Sequence, residues 1–251
     1  MQRPIAIAVG AVAAVIVGVV IYWQFIAGEA EPPPAAPPPV STPVEAAPPV
    51  VAEPRSIVVP PLESSDAPLR AMIEGLSAHP RLADVLATDQ LARTFVIVVV
   101  AIANGESPRE ALGYLEPEAS FAIAERDGSV VIDPASFERY TWITGVFSSL
   151  DAAGAAELYR QLEPLFEEAY RDIGYPEGPF RPVLDAALDQ LASTLVPEGY
   201  IEVRRGTVLW EFRDPGLERL NPAQKQLLRM GPANARLVQA KIRELQAALG
   251  R

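Results

Sequence analysis

Residues Ile5 to Ala27 form an unbroken stretch of 23 residues without a single Asp, Glu, Lys or Arg: IAIAVGAVAAVIVGVVIYWQFIA. As an α-helix this stretch would be about 34 Å long, and the hydrocarbon core of a bilayer is about 30 Å thick. No polar stripe interrupts it, so it does not suit a helix half exposed on a soluble core. It predicts a single N-terminal transmembrane helix. Tyr22, Trp23 and Phe25 gather at its far end, where amphipathic rings favour the headgroup layer. Arg3 precedes it, and Glu29 and Glu31 follow it. That asymmetry places the short N-terminus in the cytoplasm and the rest of the chain outside. A cleaved secretory leader is the competing reading. Its apolar part would be about 7–15 residues and would end in small residues. Here the stretch is longer and ends in aromatic rings, so residues 1–28 are expected to remain as an anchor.

Proline marks the next segment. Of the 26 prolines, 12 lie between Glu29 and Pro61, including Pro32-Pro33-Pro34 and Pro37-Pro38-Pro39. A segment so poor in backbone donors settles into polyproline II or disorder. Residues 29–61 are therefore expected to be a linker, with a reach of about 100 Å at about 3.1 Å per residue. A ligand for an aromatic groove is its other possible use.

Residues 62–251 read as the folded part, mainly α with two small β-hairpins (α+β). Asp66 and Pro68 open a first helix with Leu69, Met72, Ile73 and Leu76 on its apolar face. Thr88 is placed to cap Asp89 to Ala103, a helix apolar nearly all round and so expected at the centre of the domain. As a second membrane span it is too short after Arg93. Asp127-Gly128 and Arg205-Gly206, each between apolar residues, predict hairpins over 121–132 and 200–212. Between them lie helices predicted over 134–147, 151–173 (kinked at Pro164) and 181–194. Asn221-Pro222 and Gly231-Pro232 then separate two last helices.

The absence of cysteine excludes a disulfide, a thiolate nucleophile and a Cys-bound metal. With His79 as the single histidine, a Ser-His pair and a multi-His metal site are disfavoured, and His79 before Pro80 suits a surface or capping position. No Gly-rich phosphate loop and no G-x-S-x-G elbow occurs, and no cofactor or metal motif is legible. Carboxylate pairs are the chemistry left open. Glu163 and Glu167 share one helix face, and two carboxylates about 5–9 Å apart are what glycoside hydrolysis needs. Ordinary solvated residues on an amphipathic helix have the same spacing.

Charge is divided unevenly. Residues 62–198 carry a net −14, while residues 199–251 carry +5. Arg204, Arg205 and Arg213 belong to the second hairpin, with Arg219, Lys225, Arg229 and Arg236 after it. Such a face could dock lipid headgroups, an anionic polymer or a partner; alternatively it packs against the acidic body through internal ion pairs. Tyr170, Arg171, Tyr175 and Arg181, around the Tyr175-Pro176 turn, offer residue types favoured at contact surfaces. They are candidate partner-binding residues together with Arg204 and Arg205. Core and turn packing accounts for the same tyrosines.

One set of strings carries a resemblance. In order they are Arg139-Tyr140, Glu163-Pro164-Leu165 running to Ala169-Tyr170, Gly174-Tyr175-Pro176, Phe212-Arg213-Asp214-Pro215 with Leu217-Glu218, and Gln224-Lys225 through Leu228-Arg229-Met230-Gly231. Over residues 56–250 the chain resembles a proteobacterial family of single-pass envelope proteins known as domain of unknown function 3014. The pattern departs after Phe180, where Arg181-Pro182-Val183 replaces a polar stretch. The resemblance implies an anchor, a Pro-rich linker, a C-terminal domain and a cell-envelope location, and it implies no activity.

The combined expectation is an inner-membrane protein with a periplasmic, non-enzymatic interaction or scaffold module. Its partner would be a protein or an envelope polymer rather than nucleic acid. A carboxylate-dependent cell-wall glycan hydrolase is the alternative.

Overall fold

The computed structural model describes residues 58–175, 178–207 and 209–250. The expected membrane span at 5–27 and the proline-rich segment as far as residue 57 lie outside them. Chain order is α1 (Asp66–Glu74), α2 (Leu82–Val85), α3 (Leu91–Ala103), β1 (Ile123–Arg126), β2 (Ser129–Ile132), α4 (Pro134–Glu138), α5 (Thr141–Ser148), α6 (Ala152–Asp172), α7 (Arg181–Ala192), β3 (Val203–Arg205), β4 (Trp210–Phe212), α8 (Pro215–Glu218), α9 (Pro222–Arg229) and α10 (Pro232–Ala248). The described residues are mainly helical with two small antiparallel hairpins, as the hydropathy pattern predicts. No helix among them is long and apolar enough to cross a membrane.

Helix α3 is the centre of the larger core. It packs on α7 and α6, with Ala92, Val96, Val99 and Val100 buried against Leu162, Leu165, Phe166, Phe180 and Leu184. One side still reaches the surface, because Phe95 and Ile97 are 36 % and 41 % exposed. Its cap is not the expected Thr88. Asp66, at the start of α1, accepts the amide protons of Gln90 and Leu91, each at 2.8 Å, while Gln90 turns left-handed at φ 57°. A carboxylate there satisfies orphan helix donors and complements the positive end of the dipole.

The helix expected over 134–147 is two helices. The last carbonyls of α4 are taken by side chains: Arg139 donates to the Ser136 carbonyl at 2.9 Å and Asn234 to that of Phe137 at 3.0 Å. The chain turns there into α5. Helix α6 opens on Asp151, whose side chain accepts the Ala153 amide, and it stays one helix across Pro164, which is exposed. The Tyr159, Leu162, Leu165, Phe166, Ala169 and Tyr170 face is buried.

The hairpins sit over a second, smaller core of Ile132, Ile201, Val203, Phe212, Leu217 and Leu228. Asp127 and Gly128, at φ 52° and 78°, form the tight turn that Asp-Gly favours. The two hairpins adjoin through a bridge of Val131 with Glu202, and the Ile132 amide donates to Ile201 at 3.0 Å. Helix α9 begins with a reciprocal cap between Asn221 and Gln224. Gly231, at φ 90°, stands so close to Phe137 that a Cβ would overlap its ring, so glycine alone suits the step into α10. Helix α10 then packs along α5, α6 and α7.

Among the described residues, four ion pairs join charges of residues 199–251 to one another. Arg204 pairs with Glu211, Arg213 with Glu202, Lys225 with Glu218 and Lys241 with Glu244, all within residues 199–251. Neighbouring strands and helix turns bring these groups together more cheaply in chain entropy than pairing across the domain.

Candidate functional site

The residues singled out in the sequence fall into two separate groups. On α6, the Glu167 carboxylate accepts the Phe180 amide proton at 2.7 Å, just ahead of α7. It thus acts as a cap supplied from another helix. Glu163 is half-buried and lies close enough to Tyr159 for its charge to be felt. Burial, with Glu163 adding to it, holds the Tyr159 hydroxyl well above the ordinary tyrosine range. Its ring stacks on Phe166 at 5.6 Å between centroids.

Arg181 is occupied on three sides. It donates to Asp185 at 3.0 Å and to the Leu249 carbonyl at 3.0 Å, and its guanidinium lies 5.9 Å from the Tyr159 ring. Arg160 donates to the Ala248 carbonyl in the same way, so two arginines close the C-terminal end of α10. Tyr170 is buried and stacks on Tyr175 at 4.8 Å, with Phe180 at 5.5 Å. Tyr175 is 38 % exposed, and Arg171, which follows Tyr170 in sequence, is exposed too. The expected contact turn is largely a filled aromatic cluster. Arg204 and Arg205 lie elsewhere, exposed on β3.

An open groove of about 550 Å³ lies on another face. Its walls come from α2, the turn at Gly113–Leu115 with the segment after it, and the α4–α5 junction. The Arg81 guanidinium sits 3.7 Å over the Trp142 ring and bonds Asp84 at 2.7 Å. Arg139 ties the opposite wall by donating to the Ala119 carbonyl at 2.7 Å. Tyr114 donates to the Val85 carbonyl at 2.9 Å, and burial raises its hydroxyl pKa. Glu116 pairs with Arg109. Glu118 and Glu138 also line the groove and form no ion pair among the described residues.

His79 supports this wall from behind. Its Nδ1 accepts the Arg81 amide proton at 3.2 Å, and its Nε2 lies 3.2 Å from where a Cβ on Gly145 would stand. A side chain at 145 would press on the imidazole. The sequence reading missed Arg81, Tyr114 and Trp142. The signal present was Arg139-Tyr140-Thr141-Trp142, an Arg- and aromatic-rich run of the kind enriched at interfaces.

The groove is of a size that ligand sites have, about 300–1,000 Å³. It combines aromatic faces with fixed cations and uncommitted carboxylates. Among the described residues, no group of three or more His, Asp or Glu is placed to hold a metal ion. Together these features describe a small α+β domain with an open, mixed-polarity groove. The family model described as "Protein of unknown function (DUF3014)" matches residues 91–246, and the chain belongs to that family. The matched region runs from α3 into α10, so Arg81 and Asp84 precede it, whereas the resemblance in the sequence extends over 56–250. No curated protein and no solved structure matches the chain.

Proposed function

We propose that this chain is a membrane-anchored, non-enzymatic binding module of the bacterial envelope. Residues 5–27 hold it in the inner membrane with the N-terminus cytoplasmic. Residues 29–61 act as a tether, and the helical domain works in the periplasm. There it captures an extended segment of a partner protein in the groove between α2 and α5. The observation that carries this reading is a groove lined both by the Arg81–Trp142 stack and by Glu118 and Glu138, which form no ion pair among the described residues. Aromatic rings and unpaired carboxylates suit a segment bearing Lys or Arg beside an apolar side chain. The capping role of Glu167 supports binding over glycan hydrolysis, since that carboxylate already holds a backbone amide.

The test uses the full chain carrying a photo-crosslinking residue at Ala119. A discrete adduct should form with an envelope protein, disappear in Trp142→Ala and weaken in a Glu118→Lys, Glu138→Lys double variant. An adduct that survives all these changes, or one made only with glycan, overturns the reading. Topology is tested separately with a reporter active only outside the cytoplasm, fused after Arg251. An inactive reporter on a stable fusion would reverse the orientation.

A further inference from the structure

The hairpin β3–β4 carries an apolar tip. Leu209 is 70 % exposed, while its neighbour Trp210 is anchored in the smaller core. A second loop ends the same way, with Leu195 75 % exposed next to Val196, which packs on that core too. Two exposed leucines are thus held out from one cluster by half-buried neighbours. Arginines are attached to the same cluster. Arg205 pairs with Trp210 across the hairpin register and is exposed. Arg219 follows α8 beside Leu220, another residue on the cluster. The Arg229 guanidinium lies 5.8 Å from the Phe212 ring, and Arg236 donates to the Pro197 carbonyl at 3.2 Å. Arg205 and Arg219 form no ion pair among the described residues, whereas the outer face of the hairpin is neutralised by Arg204–Glu211 and Arg213–Glu202.

We infer that this end of the domain docks on an anionic lipid bilayer, with Leu209 and Leu195 entering the headgroup layer and Arg205, Arg219, Arg229 and Arg236 facing lipid phosphates. Apolar side chains at a rim of arginines are the combination that interfacial segments use. Charge complementarity favours lipid: the excess of positive charge is confined to residues 199–251, and the rest of the folded part is strongly acidic. The acidic body is repelled by the same surface, which orients the domain. This docking is separate from the groove and rests on the anchored reading only for how the face reaches a bilayer.

Because the chain has no cysteine, Leu209→Cys in the full chain gives a single site for an environment-sensitive fluorophore. The labelled protein is reconstituted into phosphatidylcholine vesicles with or without phosphatidylglycerol. Emission should shift to the blue and rise only with phosphatidylglycerol, and raising the salt should reverse it. Each of Arg205→Gln and Arg219→Gln should weaken the response about fivefold, the effect of one arginine near an anionic surface. A label that stays in water while the protein floats with the vesicles overturns the docking and leaves the anchor intact. Flotation with anionic vesicles alone supports the docking and removes the anchor. A shift produced by polyglutamate but not by vesicles overturns the lipid assignment in favour of an anionic polymer.

Discussion

The domain holds two arginine–aromatic arrangements built from the same residue types, and they have opposite fates. Around Tyr159, Tyr170 and Arg181, rings stack on rings, Glu167 holds the Phe180 amide and Arg181 reaches the Leu249 carbonyl, while the Tyr159 hydroxyl is buried without a hydrogen-bond partner among the described residues. Around Arg81 and Trp142, one face of the stack opens on a groove, and two carboxylates lining it form no ion pair among the described residues. The first arrangement holds α6, α7 and α10 together. The second is left available. Composition does not separate them; what does is whether a helix end lies within reach to use the polar atoms.

The largest expected effect tests the filled arrangement. Phe180 is fully buried and touches the rings of Phe95, Phe166 and Tyr170. Phe180→Ala should cost about 3–5 kcal/mol, read as a lower urea midpoint. A cost near zero would mean that the cluster is not packed as described.

Glu167→Ala removes a cap and should cost about 1 kcal/mol. Helix α7 should lose hydrogen-exchange protection first at Leu184, where its opening turn begins to bond. If stability were unchanged while an activity on glycan disappeared, the contrast between the two sites would reverse.

Only part of this contrast could be read from the chain. Helix and hairpin positions were legible because apolar periodicity and the Asp-Gly, Asn-Pro and Gly-Pro pairs act locally. Asp66 as the cap of α3 was not, since it reaches an amide 24 residues away. Nor was the division of α4 from α5, where Asn234 donates to the Phe137 carbonyl from 97 residues away. Glu163 and Glu167 stood out by spacing, yet the bond to Phe180 exists only after α7 has folded back on α6. Trp142 gave no periodic signal that distinguished a groove wall from core, because its face is decided by residues 81 and 114–119.

Trp142→Phe should have the opposite profile to Phe180→Ala. Losing the Arg81 stack costs below about 1 kcal/mol of stability, but crosslinking from Ala119 should fall severalfold. A stability loss as large as that of Phe180→Ala would make the groove wall part of the core.

The smallest expected effect lies at the hairpin end. Burial works against the charge of Glu218, yet the Lys225 ammonium and the Phe212 amide hold its carboxyl below the ordinary range. A carboxylate lowered in the folded state adds stability above the ordinary carboxylate range and loses it as the pH falls through the lowered value. The difference in urea midpoint between wild type and Glu218→Gln should therefore be present at neutral pH and shrink in acid. A difference independent of pH would show that the Glu218 charge adds nothing.

The link from Asp66 to the head of α3 also has a mechanical meaning. Tension entering the domain from its N-terminal side meets the turn at Leu62–Ser64, where Glu63 pairs with Arg93 of the central helix, and then α1, whose Asp66 holds that helix by two 2.8 Å bonds. Arg93 is held in turn by Asp172 at the end of α6. A pull from that side is thus shared at once between two core helices instead of peeling away one exposed turn, so the domain should yield abruptly at a single force.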